Sequence, residues 1–325
     1  MTPRERFRKT MRYGQPDRVP LLDEGMREDV LERWHEQGLP KDTDLTAMFQ
    51  YDRRQTIELP LDPRPELKRV PTTQRDLATL KERLDPDDPA RLPADWPDRV
   101  QRWRHRDDLL ELQMRNGLFR TMGVDDWAGL EQVLYLLADC PSFVRDVMEM
   151  HGQFMARLVE RVLRDVDIDF AAFSEPIGGN HGPLVSPRTY REIVLPAYGP
   201  VMDVLRSHGV ETIVFVTFAN ARRLLPDVVA AGFNCLWAVE TESRAMDYRS
   251  IRREFGRSLR LIGGIDLDCL MGGEETIERQ IVSKVSPLLA EGGYIPLADG
   301  RVRANMPFQK YAFYRQILQR VVGAA

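Results

Sequence analysis

The sequence predicts an α/β protein, a closed (β/α)8 barrel with a proline-rich N-terminal insertion, and three observations carry that reading. From residue 141 onward, short apolar runs alternate with helical patterns of ten residues or more, the signature of βα units. The runs are apolar throughout rather than alternating, as strands covered on both faces are. At least five such units follow one another without a Gly-x-Gly-x-x-Gly fingerprint, which favours a closed ring over a doubly wound sheet.

Near the N-terminus, Asp17 to Glu24 is a short apolar run closed by two carboxylates. Val30, Leu31, Trp34 and His35 then keep helical spacing until Gly38 stops them. Eight of the 22 prolines fall between Pro60 and Pro97. Proline at that density breaks regular elements, so residues 60–108 read as a surface excursion carrying one helix, Thr73 to Leu84, within one domain over residues 1–325. Trp96 and Trp103 in this stretch need a packing partner. Pro141 to Arg164 is a long amphipathic helix. Ile168–Glu175 follows as a buried strand. Ser186-Pro187 opens a helix, serine as cap and proline in the first turn, that ends at His208-Gly209. Strands are then expected at 212–218, 235–240, 259–266 and 293–299. Helices are expected at 221–232, around 248–255, at 274–289 and at 307–322. The runs at 17–24 and 55–61 are candidates for the remaining strands.

Composition narrows the function. The chain has 325 residues, 46 basic and 50 acidic, for a net charge of −4, and is 43% hydrophobic. That gives no electrostatic footprint for nucleic acid or an anionic membrane. No run approaches 18 apolar residues and the N-terminus lacks a secretory apolar stretch, so a cytoplasmic protein is expected. Cys140, Cys235 and Cys269 are too scattered for a disulfide framework or a Cys-x-x-Cys site, and each is expected in apolar surroundings.

In a parallel barrel the chemistry sits at the C-terminal ends of the strands. The polar residues at those positions are Asp23 and Glu24, Glu175, Thr217 and Asn220, Glu240, Asp266 and Asp268, and Asp299, with Arg301 and Arg303 in the last loop. Asp268 and Asn220 have a competing reading as helix caps. Glutamate is a poor cap, so Glu175 and Glu240 stand out as site carboxylates. His181, in Gly178-Gly179-Asn180-His181-Gly182, is the histidine placed to act as an acid or ligand. His208 reads as a helix-end residue, His151 as packed or exposed on its helix, and Tyr190 as packing beneath the loop after Ser186-Pro187.

Five segments carry a family resemblance. They are Pro3 to Pro20 (Pro-Arg-Glu-Arg-Phe … Pro-Asp-Arg-Val-Pro), Gly182 to Pro187 ahead of Tyr190, Gly263-Gly264-Ile265-Asp266, Glu291 to Pro296, and the tail Arg301-Val302 … Pro307-Phe308 … Tyr311. In this order the chain resembles the uroporphyrinogen decarboxylase and cobamide-dependent methyltransferase superfamily, over nearly its whole length except the proline-rich stretch. The resemblance implies a TIM barrel with a deep cleft and a homodimer. It also implies either cofactor-free tetrapyrrole decarboxylation or corrinoid-dependent methyl transfer, usually with zinc.

The departures shape the functional expectation. Where the thiol methyltransferases carry His-x-Cys, this chain has Thr217, Phe218 and Ala219, and no cysteine stands near residues 297–301. A thiolate zinc site is therefore not expected, although His181, Glu175, Asp266 and Asp299 are of the donor types a hard cation takes. Where the tetrapyrrole decarboxylases carry an arginine-rich segment, Asp23 to Glu28 holds Arg27 alone among acids, which would repel a substrate with eight carboxylates. The leading expectation is a metal- and cofactor-independent lyase for a small carboxylated or heteroaromatic substrate. Arg27, Arg301 and Arg303, with Thr217 and Asn220, bind the substrate; Asp23 or Glu24 faces its ring; His181 or Glu175 returns the proton; and Glu240, Asp266 and Asp299 complete the acidic group. The alternatives are a methyltransferase served by a corrinoid protein and an inert barrel used for binding.

Overall fold

Nine strands order the chain in the computed structural model, which describes residues 1–241 and 244–323. They are β1 (Arg54–Glu58), β2 (Leu109–Met114), β3 (Phe170–Glu175), β4 (Gly178–Gly179), β5 (Gly182–Pro183), β6 (Ile213–Ala219), β7 (Cys235–Thr241), β8 (Arg260–Gly263) and β9 (Tyr294–Ile295). The chain divides into two compact units, Met1–Gln55 with Asp107–Leu109 and Cys235–Ala325, and Thr56–Arg106 with Leu110–Asn234.

In the second unit β2, β3 and β6 pair in parallel, with Leu112 beside Ala171 and Phe173 beside Phe215. Phe170, Ala171, Ala172, Val214 and Phe215 are fully buried, as expected of strands covered on both faces. The helix Pro141–Asp165 buries thirteen residues and packs on the helix Leu195–Ser207. The two approach so closely that a Cβ on Gly152 would overlap the Ala197 carbonyl. Gly152→Ala is expected to cost about 2–3 kcal/mol by overpacking, measured by urea unfolding; a loss under about 0.5 kcal/mol would mean the helices separate freely.

The Ser186 cap forms as expected, accepting the Thr189 N–H at 3.0 Å with Pro187 in the first turn. The helix then departs from the simple expectation: Tyr190–Val194 is a π-helical turn before the α-helix resumes at Leu195. Pro196 and Pro200 contribute no N–H to the ladder there, which loosens the register.

The proline-rich stretch is more regular than the sequence suggests. It contains two helices rather than one, Gln74–Arg83, capped by Thr73, and Trp96–Arg104, while β1 lies just before it, at the strand candidate 55–61. Trp96 and Trp103 pack edge to face, 5.5 Å between centroids, and the Trp96 indole N–H donates to Asp165 at 2.8 Å. Carbonyls that prolines leave outside any ladder need other donors. Arg91, 1% exposed, supplies them to Pro60 (2.7 Å), Asp62 (2.6 Å) and Arg83 (2.7 Å).

In the first unit β7, β8 and β9 pair in parallel, with Leu236 beside Leu261 and Leu261 beside Tyr294. The helices Tyr248–Phe255, Glu274–Glu291 and Phe308–Gly323 follow these strands, within two residues of the expected bounds. Asp17–Glu24 forms no ladder; the segment after it pairs instead, Met26 bridging Val302 in parallel. Cys140 is exposed at a helix junction, against expectation, while Cys235 is buried. No helix among the described residues is long and apolar enough to cross a membrane.

Candidate active site

Most of the expected site residues lie in the first unit, at the ends of β7, β8 and β9 and in the segment Asp23–Arg27. Glu240 ends β7 with φ +45°, a left-handed conformation that a non-glycine residue adopts at a cost. Its N–H donates to the Asp299 carbonyl at 2.5 Å. Its exposed carboxylate lies 3.4 Å from Arg27 and 3.8 Å from Arg303. Arg303 also reaches Asp268 at 3.1 Å.

Several expected site groups are committed to holding the loops. Asp299, 4% exposed, accepts the Thr241 hydroxyl (2.6 Å) and N–H (3.0 Å) on one oxygen and the Leu267 N–H (2.9 Å) on the other. Burial pushes its carboxyl above the usual range despite these donors. Asp266, rather than Asp268, is the cap of the turn that follows, accepting the Asp268 N–H at 2.9 Å. Arg301 donates to the Met26 carbonyl and pairs with Glu28 at 3.0 Å, which fixes the segment before it.

Asp23 has a different setting. Burial raises its carboxyl pKa against the opposing pull of Arg315, Arg54, the Tyr51 hydroxyl and the Gly25 N–H. Arg315, 1% exposed, donates to the Leu22 and Phe49 carbonyls at 3.2 Å each and stacks 4.3 Å over Tyr51, whose hydroxyl meets that of Tyr311 at 2.8 Å. Arg54 stacks 4.8 Å over Trp237, and the buried Trp237 Nε1 has no hydrogen-bond partner among the described residues. Tyr51, Arg54, Trp237 and Arg315 were absent from the sequence-based site. The pairing of an arginine in the middle of the last helix with a tyrosine near residue 50 has no local pattern that would reveal it. Glu24 is half-buried beside Asp23.

The second unit holds Glu175, His181, Thr217 and Asn220. Glu175, 1% exposed, accepts the Leu118 N–H (3.0 Å) on one oxygen and the Tyr198 (2.6 Å) and Tyr190 (3.2 Å) hydroxyls on the other. Burial outweighs these donors and pushes its pKa up to about 7. A side chain at Gly117 would overlap this carboxylate, so glycine there admits it. Tyr190 thus binds Glu175 rather than simply packing under a loop. Eight residues of ideal α-helix would turn Tyr198 about 80° away from Tyr190. The π turn absorbs one residue, brings both hydroxyls to one face, and explains why spacing alone missed Tyr198.

His181 sits exposed at the tip of the β4–β5 hairpin. Thr217 is fully buried with its hydroxyl unpartnered among the described residues, and Asn220, one residue before the cap position Ala221, accepts the Arg222 N–H at 3.2 Å. His151 is buried against Asn116 (3.1 Å between the side-chain nitrogens), and burial lowers its pKa to about 4. A 130 Å3 cleft in this unit is lined by Asp62, Lys68, Arg69, Leu80, Arg120 and Val124 and by none of the expected site residues. Among the described residues no three His, Cys, Asp or Glu side chains are grouped as ligands for a metal such as the zinc that the resemblance implies.

Parallel βα units with charged residues at the strand ends define an α/β protein of the kind that builds its sites on strand C-termini. A family profile described as uroporphyrinogen decarboxylase (URO-D) matches residues 126–310, more than half of the chain, and the chain belongs to that family. Among solved structures, a methyltransferase from Methanosarcina mazei shares the fold at 13% identity, with a TM-score of 0.64 over 98% of this chain and 99% of that one. A putative vitamin-B12 independent methionine synthase from Listeria monocytogenes is more distant, at 10% identity and a TM-score of 0.38 over 94% and 98% of the two chains. No curated protein sequence matches the chain.

Proposed function

We propose that this chain is a uroporphyrinogen-decarboxylase-like lyase that removes CO2 from a small carboxylated or heteroaromatic substrate. The supporting observation is the Asp23 cluster: an aspartate that burial holds toward its neutral form, between two arginines and a tyrosine. Breaking a C–CO2 bond leaves an electron pair on carbon that needs stabilisation and then a proton. Asp23 is the group suited to both demands, facing a ring N–H while ionised and carrying a proton when neutral. We assign this role to it rather than to Glu175, whose carboxylate is enclosed by its own donors. Arg27 and Arg303 are suited to hold the substrate carboxylate, because Glu240 already lies between them as an exposed and replaceable anion. The single arginine in Asp23–Glu28 supports a substrate with few carboxylates.

The test is CO2 release by the full chain from a panel of pyrrole and aromatic carboxylic acids. Asp23→Asn is expected to lower kcat about 100-fold, the usual scale of a lost acid, and Arg303→Ala to raise KM. The second reading, methyl transfer with a corrinoid protein, is supported by family membership and by the fold shared with the Methanosarcina methyltransferase. Methyl transfer from a methylated corrinoid protein, with no CO2 from any acid, would make that reading the right one.

A further inference from the structure

The helix Trp127–Asp139 is well made but poorly covered. Asp126 caps it, accepting the Gly129 N–H at 2.7 Å. A helix this apolar normally buries three or four residues per two turns, yet Val133 is its one buried residue. Trp127 is 86% exposed and Tyr135 61% exposed, while Leu130, Leu134, Leu136 and Leu137 are half-buried. Trp127, Leu130, Leu134 and Leu137 follow the spacing of a single stripe. An apolar stripe with one exposed ring and three half-buried leucines beside it marks a surface suited to contact.

The charges around the stripe say what kind of contact. Between Arg120 and Arg145 there is no lysine or arginine, whereas Asp125, Asp126, Glu131 and Asp139 are all exposed. A two-fold contact with a second copy would set this acidic rim against itself. An anionic lipid surface would repel it. An apolar anchor flanked by cations satisfies both the stripe and the rim.

We propose that the helix Trp127–Asp139 is the docking face for a basic amphipathic helix of a partner protein. The partner's apolar side lies along Trp127, Leu130, Leu134 and Leu137, and its lysines or arginines meet Asp125, Asp126 and Glu131. This pairing of an apolar stripe with a charged rim is the helix-in-groove mode of recognition. It does not depend on which reaction the chain catalyses.

The test uses the full chain and a synthetic helical peptide of about 16 residues, long enough to form a helix on contact, with leucines on one face and lysines beside them. A second peptide carries glutamates in place of the lysines. Calorimetry is expected to show binding of the lysine peptide alone, weakening roughly tenfold between low and physiological salt as screened charges do. Trp127→Ala, and separately Glu131→Lys, are each expected to weaken it at least about tenfold, the scale of a lost anchor. Glu275→Lys, at a carboxylate 93% exposed in the other unit, is expected to change nothing. All the altered side chains are exposed, so unchanged thermal unfolding is expected for each variant. Equal loss in Glu275→Lys would reduce the effect to net charge and overturn the proposal. Binding of the glutamate peptide, a dimer in sedimentation that Trp127→Arg dissolves, or capture by anionic vesicles in place of the peptide would overturn it as well.

Discussion

Glu175→Ala lowers the unfolding free energy by about 3–5 kcal/mol, the expected cost of breaking a buried charged network. The variant strands the Leu118 N–H and the Tyr190 and Tyr198 hydroxyls in a dry interior, where each unmet group is costly. The same carboxyl makes stability depend on pH. Its pKa rises from 4.5 in the unfolded chain to about 7 in the folded one. Between those values the folded protein holds a proton that the unfolded chain has released, so stability falls as pH rises and levels off above about 7. A shift of this size corresponds to about 3 kcal/mol across the window. Glu175→Gln, which cannot ionise, should flatten that slope while keeping an acceptor for Leu118. Urea unfolding at pH 5, 6, 7 and 8 reads both effects. A wild-type profile as flat as that of Glu175→Gln would mean the carboxyl titrates normally.

Asp299→Ala is the second large effect, about 3 kcal/mol by the same physics of stranded buried donors. Its three hydrogen-bond donors are not all equal. The Thr241 hydroxyl can turn to another acceptor, whereas the Thr241 and Leu267 N–H groups cannot. Hydrogen exchange at those two amides should therefore accelerate in Asp299→Ala well before the rest of β7 and β8, and Asp299→Asn should restore part of the protection. Uniform acceleration across the unit would show that Asp299 supports global stability without pinning these loops.

The distinction matters for reading sites from strand ends. Glu175, Asp299, Asp266, Asn220 and Arg301 all stand where the pattern of strands placed them, and each is bound to a backbone group, local for Asp266 and Asn220 and from a distant segment for Glu175, Asp299 and Arg301. Position was legible because strand length and apolar content are local properties of the chain. Role was not, because it depends on which donors other segments bring. Asp23 shows the reverse case. The sequence marked it as the end of an apolar run, but its raised carboxyl arises from burial, against the pull of Arg315 and Tyr51, and all of these act only in the folded unit.

By itself, the amino-acid sequence determined the alternation of strands and helices, the Ser186-Pro187 and Thr73 caps, and the single arginine in Asp23–Glu28. Each of these follows from propensity and spacing within a few residues, the range over which a chain's local energetics act. Tertiary structure alone decided that Tyr190 and Tyr198 share Glu175, that Arg91 knits the proline-rich carbonyls together, and that the helix Trp127–Asp139 stays uncovered. Those outcomes turn on desolvation and on partners tens to hundreds of residues away, and the energy of a buried charge is defined only once its neighbours are in place.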